Sequence, residues 1–359
     1  MRRLTEVPAT TKEAPMGLHP RLAAAIAAAT VLLLAVTAQA SVPAPVRTTR
    51  ANEMLPAAGY DKLTGTEFLT WSRSRPGADQ VYDAYLQQHG GPPVQLNDRG
   101  VAWSGDLDVA RHLAVYQQAR GDDSKIILFD WATGRRTAAP EAVNTPAWEF
   151  APRLQGDYLL FGRETWRTRP HVYELFLYNR ADGSVKSLDR IPHGYNYGAV
   201  IPGQVNGDWV VWQKATDYWS DMRVYRYNLV TGVKDEVPVT AGRFDYDPSV
   251  TADGTVYFVR SRGGCGWNVR IRSFTGEEGT APVYAPPEGS AIDRTYAEER
   301  PDGSTHLIFS RLACYLPEAD WNIYRLRVED VAPPAPVAAR GALVGPPTVF
   351  APSATQLHH

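Results

Sequence analysis

Five short segments gather the residues in this chain whose types could do chemistry: Asn97-Asp98-Arg99-Gly100, Asn144-Thr145-Pro146, His193-Gly194-Tyr195-Asn196-Tyr197, Arg243-Phe244-Asp245-Tyr246-Asp247 and Asp293-Arg294-Thr295-Tyr296. They share Asp or Asn, Arg and Tyr. Carboxylates beside guanidiniums and phenols suit a peptide terminus or a sugar. They also suit a calcium ion, which takes several oxygen ligands from Asp and Asn. The candidate ligand-binding residues are therefore Asp98, Arg99, His193, Tyr195, Tyr197, Arg243, Asp245, Asp247, Asp293 and Arg294. A plainer reading competes with this one. Asp and Asn just ahead of a strand also cap turns, and Arg beside Asp often simply pairs with it.

No catalytic residue or resident metal is assigned. The chain has no GxSxG, HExxH, GxGxxG or GxxxxGK[ST], which removes the strongest hydrolase, zinc-protease, dinucleotide and phosphate-loop signals. The eight histidines are scattered apart from the terminal His358-His359. Paired carboxylates among Asp98, Asp245, Asp247 and Asp293 keep glycoside chemistry open as the alternative, if they stand roughly 5–9.5 Å apart.

What must position these segments is a repeat. Six apolar runs end in an aromatic residue, at Trp71, Tyr116, Phe161, Trp212, Phe258 and Phe309, at intervals of 45 to 51 residues. Two residues after each comes a long polar side chain: Arg73, Gln118, Arg163, Lys214, Arg260 and Arg311. A second extended run follows each, then turns at Gly90, Gly134, Gly183, Gly232 and Gly276, where glycine supplies the positive φ of tight hairpins. From the second copy onward, a short extended segment also precedes each apolar run. Four strands at a period of roughly 40–50 residues mark a propeller. The expected fold is an all-β, six-bladed β-propeller of four-stranded antiparallel blades. In such a fold the five polar segments lead into the innermost strands and converge at the axial mouth. Trp166, Trp219, Trp267 and Trp321 fall between the first and second strands of copies three to six and are assigned to the opposite rim, as a stacking surface or as caps on the blade cores.

The expected organisation has four parts. Residues 1–40 form a secretory signal, with Arg21 before the apolar run Leu22 to Ala38 and an A-x-A site at Ala38-Gln39-Ala40. Residues 41–59 form a Pro/Ala/Thr-rich linker, residues 60–332 the propeller, and residues 333–359 a Pro/Ala-rich tail. The first copy shows no innermost strand of its own, and either Met54–Tyr60 or Thr348–Ala351 is left to supply one. With a formal net charge of -2, no large basic field argues for nucleic acid. Cys265 and Cys314 fall in equivalent loops of neighbouring copies, so a disulfide between them is expected in an oxidising compartment.

The segments Asp247-Pro248-Ser249-Val250-Thr251-Ala252-Asp253-Gly254 and Arg300-Pro301-Asp302-Gly303, with Asp320-Trp321-Asn322-Ile323-Tyr324, resemble the repeat of TolB-type propellers. The resemblance covers residues 60 to 332, without the family's N-terminal domain. Copies one to four keep the hydrophobic pattern but little of the P-D-G turn. It implies a propeller outside the cytoplasm, in the periplasm or cell envelope or secreted, whose default activity is binding an envelope or extracellular protein, or a saccharide. An uncleaved N-terminal anchor is the alternative to export. No cofactor is expected beyond the calcium noted above.

The signal reading has a direct check. N-terminal sequencing of the exported protein is expected to begin at Ser41; a mature chain still carrying the run Leu22 to Ala38 would establish the anchor instead.

Overall fold

The structure is a computed structural model. It describes residues 42–328 except 50, 79–80, 99, 166–170, 193–197, 216–220, 263–268, 278 and 315–319. The signal, the tail, Cys265 and the candidates Arg99, His193, Tyr195 and Tyr197 lie outside the described residues.

The chain forms a β-propeller of four-stranded antiparallel blades. After β1 (Ala44–Arg47), the first blade runs β2 (Glu53–Tyr60), β3 (Glu67–Ser74), β4 (Tyr82–Gln88) and β5 (Val94–Gln95). Next come β6 (Val101–Asp108), β7 (Leu113–Arg120), β8 (Asp123–Asp130) and β9 (Arg135–Ala138), then β10 (Trp148–Gln155), β11 (Tyr158–Glu164), β12 (Val172–Asn179) and β13 (Val185–Pro192). These two sets merge into one eight-stranded sheet through a single parallel pair, Trp148 with Ser124. Further four-stranded sheets hold β14 (Ala199–Asn206), β15 (Trp209–Ala215), β16 (Met222–Asn228) and β17 (Lys234–Glu236), and β18 (Phe244–Val250), β19 (Val256–Ser261), β20 (Arg270–Phe274) and β21 (Ala281–Tyr284). The last sheet orders β22 (Ser290–Glu299), β23 (Thr305–Ala313) and β24 (Asn322–Arg327) beside β1. The innermost strands β2, β6, β10, β14, β18 and β22 neighbour one another in that order, and β22 returns to β2. Among the described residues no helix is long and apolar enough to cross a membrane.

The six phased aromatics explain why the sheets stack. Trp71, Tyr116, Phe161, Trp212, Phe258 and Phe309 are all fully buried and are the largest such side chains in the structure. Each second strand is covered on both faces, so it reads as a continuous apolar run rather than an alternating one. The cores lie between neighbouring sheets: Leu160, Leu175 and Ile191 pack against Val200, Val210 and Trp212, and Val211 and Val224 against Val250 and Phe258.

The long polar followers have a structural use. In every blade the follower lies opposite the same innermost-strand position: Arg73 faces Glu53, Gln118 faces Ala102, Arg163 faces Glu149, Lys214 faces Val200, Arg260 faces Asp245 and Arg311 faces Ile292. Where that position is acidic, an ion pair forms, at 2.8 Å for Arg73–Glu53, 3.1 Å for Arg163–Glu149 and 2.6 Å for Arg260–Asp245. Arg163 and Arg260 also lie over the rings of Phe161 and Phe258, a contact that favours a cation on an aromatic face.

The linker assigned to residues 41–59 is corrected. Its residues form β1 and β2, because β2 is the innermost strand that the first copy lacked and β1 closes the last sheet by pairing with β24. Pro and Ala at 43–45 suit an edge position, where a missing N–H costs no ladder bond. Arg47 then donates to Glu53 at 3.0 Å and to Gln87 at 2.7 Å, and lies 4.1 Å from the Trp71 ring centroid. The joint is reinforced by Glu67, which takes Arg300 at 3.3 Å and also Arg325.

Removal of Ala44–Arg47 is therefore expected to destabilise the protein by on the order of 2 kcal/mol, since it removes the β1–β24 ladder and one of the two arginines that hold buried Glu53. Thermal unfolding of the truncated chain checks this; an unchanged midpoint would return these residues to the status of a linker.

Candidate functional site

Strand register decides which loops share a face. The start of each innermost strand pairs with the end of the strand that follows it: Glu53 with Arg73, Val101 with Ala119, Trp148 with Glu164, Ala199 with Ala215, Phe244 with Ser261 and Ser290 with Ala313. The loops entering the innermost strands and those leaving the second strands therefore emerge on one face. This corrects the placement of Trp321 on the opposite rim. Trp321 shows the consequence directly: its carbonyl accepts from the Glu53 amide at 2.9 Å and its amide donates to Asn52 Oδ1 at 3.2 Å, at the head of β2. Trp166, Trp219 and Trp267 lie outside the described residues.

Several of the polar segments act as fasteners. Asn144 Oδ1 accepts from the Ile126 amide, and its Nδ2 donates to the carbonyls of Ile126 and Ala139. Buried Asn97 donates to Asp83 Oδ1 at 2.7 Å, while Asp98 beside it is exposed. Asp245 is buried and gripped by Arg260 through both carboxylate oxygens at 2.6 Å. Its carboxyl is nonetheless raised from the ordinary aspartate range, because burial outweighs the guanidinium.

Asp247, Asp293 and Arg294 do come together, at the axis, because every innermost strand breaks its ladder at one level. The register shifts lie between Met54 and Ala57, Ser104 and Leu107, Phe150 and Arg153, Pro202 and Gln204, Tyr246 and Ser249, and Asp293 and Thr295. These are bulges, which bend a strand and re-aim its side chains. Leu55, Ala151, Asp247 and Arg294 adopt φ of 54°, 48°, 50° and 52° there, the left-handed region that costs a non-glycine residue energy. At Gly105 and Gly203 the limit is space instead, since a Cβ would stand 2.5 Å from the carbonyl oxygens of Pro152 and Pro248. The second strand of the preceding blade satisfies freed amides: Ser72 Oγ accepts from Ser104, Gln117 Oε1 from Ala151 and Gln213 Oε1 from Asp247.

The bulges turn polar side chains into the centre. Arg153 donates to the carbonyls of Gly203, Pro152 and Pro202. Gln204 reaches Ala297 O at 3.0 Å and accepts from the amides of Val250 and Ala297. The amide of Arg294 donates to Asp247 Oδ2 at 2.9 Å, and its guanidinium to Gly105 O at 3.4 Å. Tyr296 lies beside fully buried Asp106. Gln204 to Ala297 and Arg294 to Gly105 join blades that are not sequence neighbours, while Arg153 to Gly203, Gln204 to Val250 and Arg294 to Asp247 join adjacent ones.

Within this layer the carboxyl of Asp293 hydrogen-bonds to that of Asp247. Two like charges cannot both ionise at this range in a buried site. Burial raises both groups, and the neighbouring Asp247 charge helps push Asp293 up to about 8. Asp293 thus holds the proton and donates it to Asp247. Burial likewise raises Asp106 and lowers Arg153 and Arg294. Asp106 and Asp293 each keep one buried oxygen without a hydrogen-bond partner. Among the described residues no set of three or more His, Cys, Asp or Glu side chains is arranged to hold a metal ion. The bulge level and its proton-sharing pair were not legible from residue types; the recurrent offset of bulge from polar follower was the available signal.

No family model matches the chain, and no curated protein matches it in sequence. Among solved structures it is similar to an α-L-arabinanase of Penicillium chrysogenum complexed with arabinobiose, at 14% identity and a TM-score of 0.51, over 82% of this chain and 98% of that one. It is also similar to TolB from Acinetobacter baumannii, at 15% identity and 0.46, over 76% of this chain and 63% of that one, so it spans under two thirds of that TolB. A third likeness is to an oligogalacturonate lyase in complex with manganese, at 13% identity and 0.48, over 79% and 85%. At these identities the likeness shows the propeller fold and nothing finer.

The pair has a pH signature. A carboxyl whose folded pKa is raised lends stability that is full below its unfolded pKa, about 4, and is lost as pH rises through about 8. Asp293→Asn keeps a donor toward Asp247 without a proton to lose. Its unfolding free energy should therefore fall less steeply between pH 4 and 8, by up to about 1.4 kcal/mol per pH unit. Denaturant titrations across that range check the slope; parallel curves for the two proteins would show that Asp293 is ionised throughout.

Proposed function

We propose that this chain is an exported, six-bladed propeller that binds an envelope or extracellular partner, or a saccharide, through the face carrying the loops into the innermost strands. The cyclic order of six innermost strands supports the blade number. A Cys265–Cys314 disulfide belongs to this reading and accords with Cys314 being held in a disulfide. The observation that carries the proposal is the contact between Asp247 and Asp293. They hydrogen-bond to each other, far closer than the roughly 5–9.5 Å that glycosidases keep between their carboxyls. The charge of Arg294 bears on both and that of Arg153 on Asp247, which favours recognition at the surface over sugar chemistry at this pair. Trp321 stands at the head of β2 on this face, and such aromatics anchor interfaces.

Affinity capture from a cell-envelope extract tests the choice of face. Tyr195→Ala with Tyr197→Ala should reduce capture by roughly tenfold or more, the effect of removing interface anchors. Leu63→Glu, on the 96%-exposed tip of the β2–β3 hairpin at the other end of the blades, should leave it unchanged. The reverse pattern would move the interface to the opposite face. Turnover of a glycan that is abolished by Asp293→Asn would replace binding with catalysis.

A further inference from the structure

The blade β18–β21 carries a concentration of arginine that its packing does not account for. In this net-negative chain, Arg243, Arg260, Arg262, Arg270 and Arg272 occupy one corner. Arg260 is paired directly with Arg270 across the β19–β20 ladder, and like charges directly opposite are destabilising. Side chains alternate along a strand. Arg243 stands two residues before Asp245, Arg262 two after Arg260, and Arg272 two after Arg270. Since Asp245 also faces Arg260, all five arginines share one side of the sheet.

Among the described residues one acid pairs with these arginines, and it is committed. Asp245 neutralises Arg260 with both oxygens. Arg272 is taken up by Thr280, through its hydroxyl and its carbonyl. Arg270 donates to Val269 O at 2.7 Å. Arg243 is the unresolved member. Its Nη1 is buried without an acceptor, and the charges that bear on it are those of Arg262, Arg260 and Arg270. A buried guanidinium nitrogen with no partner costs free energy. Repulsion from three neighbours adds to that cost. Such an arrangement persists where something outside the chain supplies the missing acceptor.

We infer that Arg243, Arg262 and Arg270 form a binding site for an oxyanion, a phosphate or carboxylate group of the ligand, at the corner of the recognition face. The position is right for it. Arg243 leads into the innermost strand β18, Arg262 follows the end of β19, and Arg270 begins β20, so all three stand at the proposed binding face. Arg262 is exposed while Arg243 and Arg270 are half-buried, which gives an approaching group one guanidinium in water and two at the sheet. Planar guanidiniums match phosphate and carboxylate with two parallel N–H donors. The site rests on the binding reading above and names the chemistry that face selects.

The test is calorimetric titration of the full chain with inorganic phosphate and, separately, with glucuronate, at low ionic strength. Saturable binding of either is expected, and the stronger arm identifies phosphate or carboxylate as the group recognised. Arg243→Gln with Arg270→Gln should weaken it roughly a hundredfold, about tenfold for each charged donor. The same double variant should unfold at a temperature equal to or above that of the parent, because it relieves repulsion and breaks no ion pair. The winning anion should raise the parent's midpoint and leave the variant's in place. Absence of saturable binding in the parent, or equal binding by the variant, would overturn the site. Partner capture that survives the arginine substitutions but fails with Tyr195→Ala and Tyr197→Ala would remove this site and leave the binding face standing.

Discussion

Polar groups gathered where the innermost strands meet set the centre of this molecule. Those strands neighbour one another in a closed order, and each breaks its ladder at one level. The amides freed by those bulges, and the side chains they turn inward, must find partners within the chain. Ser72, Gln117 and Gln213 satisfy amides of the next blade, while Arg153, Gln204 and Arg294 span to carbonyls across the centre. Asp247 and Asp293 solve the remaining problem by sharing one proton. An unpaired buried charge is far more costly than a neutral acid donating to an anion. The bulge level is therefore a polar layer, and its chemistry is spent on holding the blades together.

That constraint separates the residues that fasten from those that are free to recognise. Asp245 looks like its neighbour Asp247 in the sequence, yet it belongs to a device repeated with Glu53 and Glu149: an inner-strand acid, the arginine opposite, and an aromatic ring beneath. The three odd-numbered copies carry the acid, and the others place Ala102, Val200 and Ile292 there. The surplus arginines around Asp245 have no place in that device, and they sit on the face where the loops emerge.

Much of the architecture was legible in the residues. The six aromatics announced both period and burial, because a strand covered on both sides must be apolar without interruption. The polar followers were visible as a pattern, but their acids lie about 15 to 20 residues earlier and were not connected to them. The first blade's inner strand was one of two segments the residues left open, because Glu53–Tyr60 contains Pro56 and lies in a Pro/Ala-rich context that reads as a linker. Trp321 was placed on the wrong rim because loop parity follows from pairing direction, which spacing alone does not display. Among the site candidates, Asp247, Asp293 and Arg294 were found by type, but the contacts between them were not. Local sequence carries no record that a bulge turns a side chain toward strands contributed by the other blades.

The central claim is that Asp293 is a neutral acid donating to Asp247 at the bulge level of the innermost strands. The most direct measurement is the infrared difference spectrum between the parent and Asp293→Asn at pH 6.5. The account predicts a protonated-carboxyl C=O stretch in the parent that is missing from the variant. A difference spectrum showing only carboxylate bands would mean that both aspartates are ionised, and an axis able to keep two adjacent charges is one open to water and to ligand.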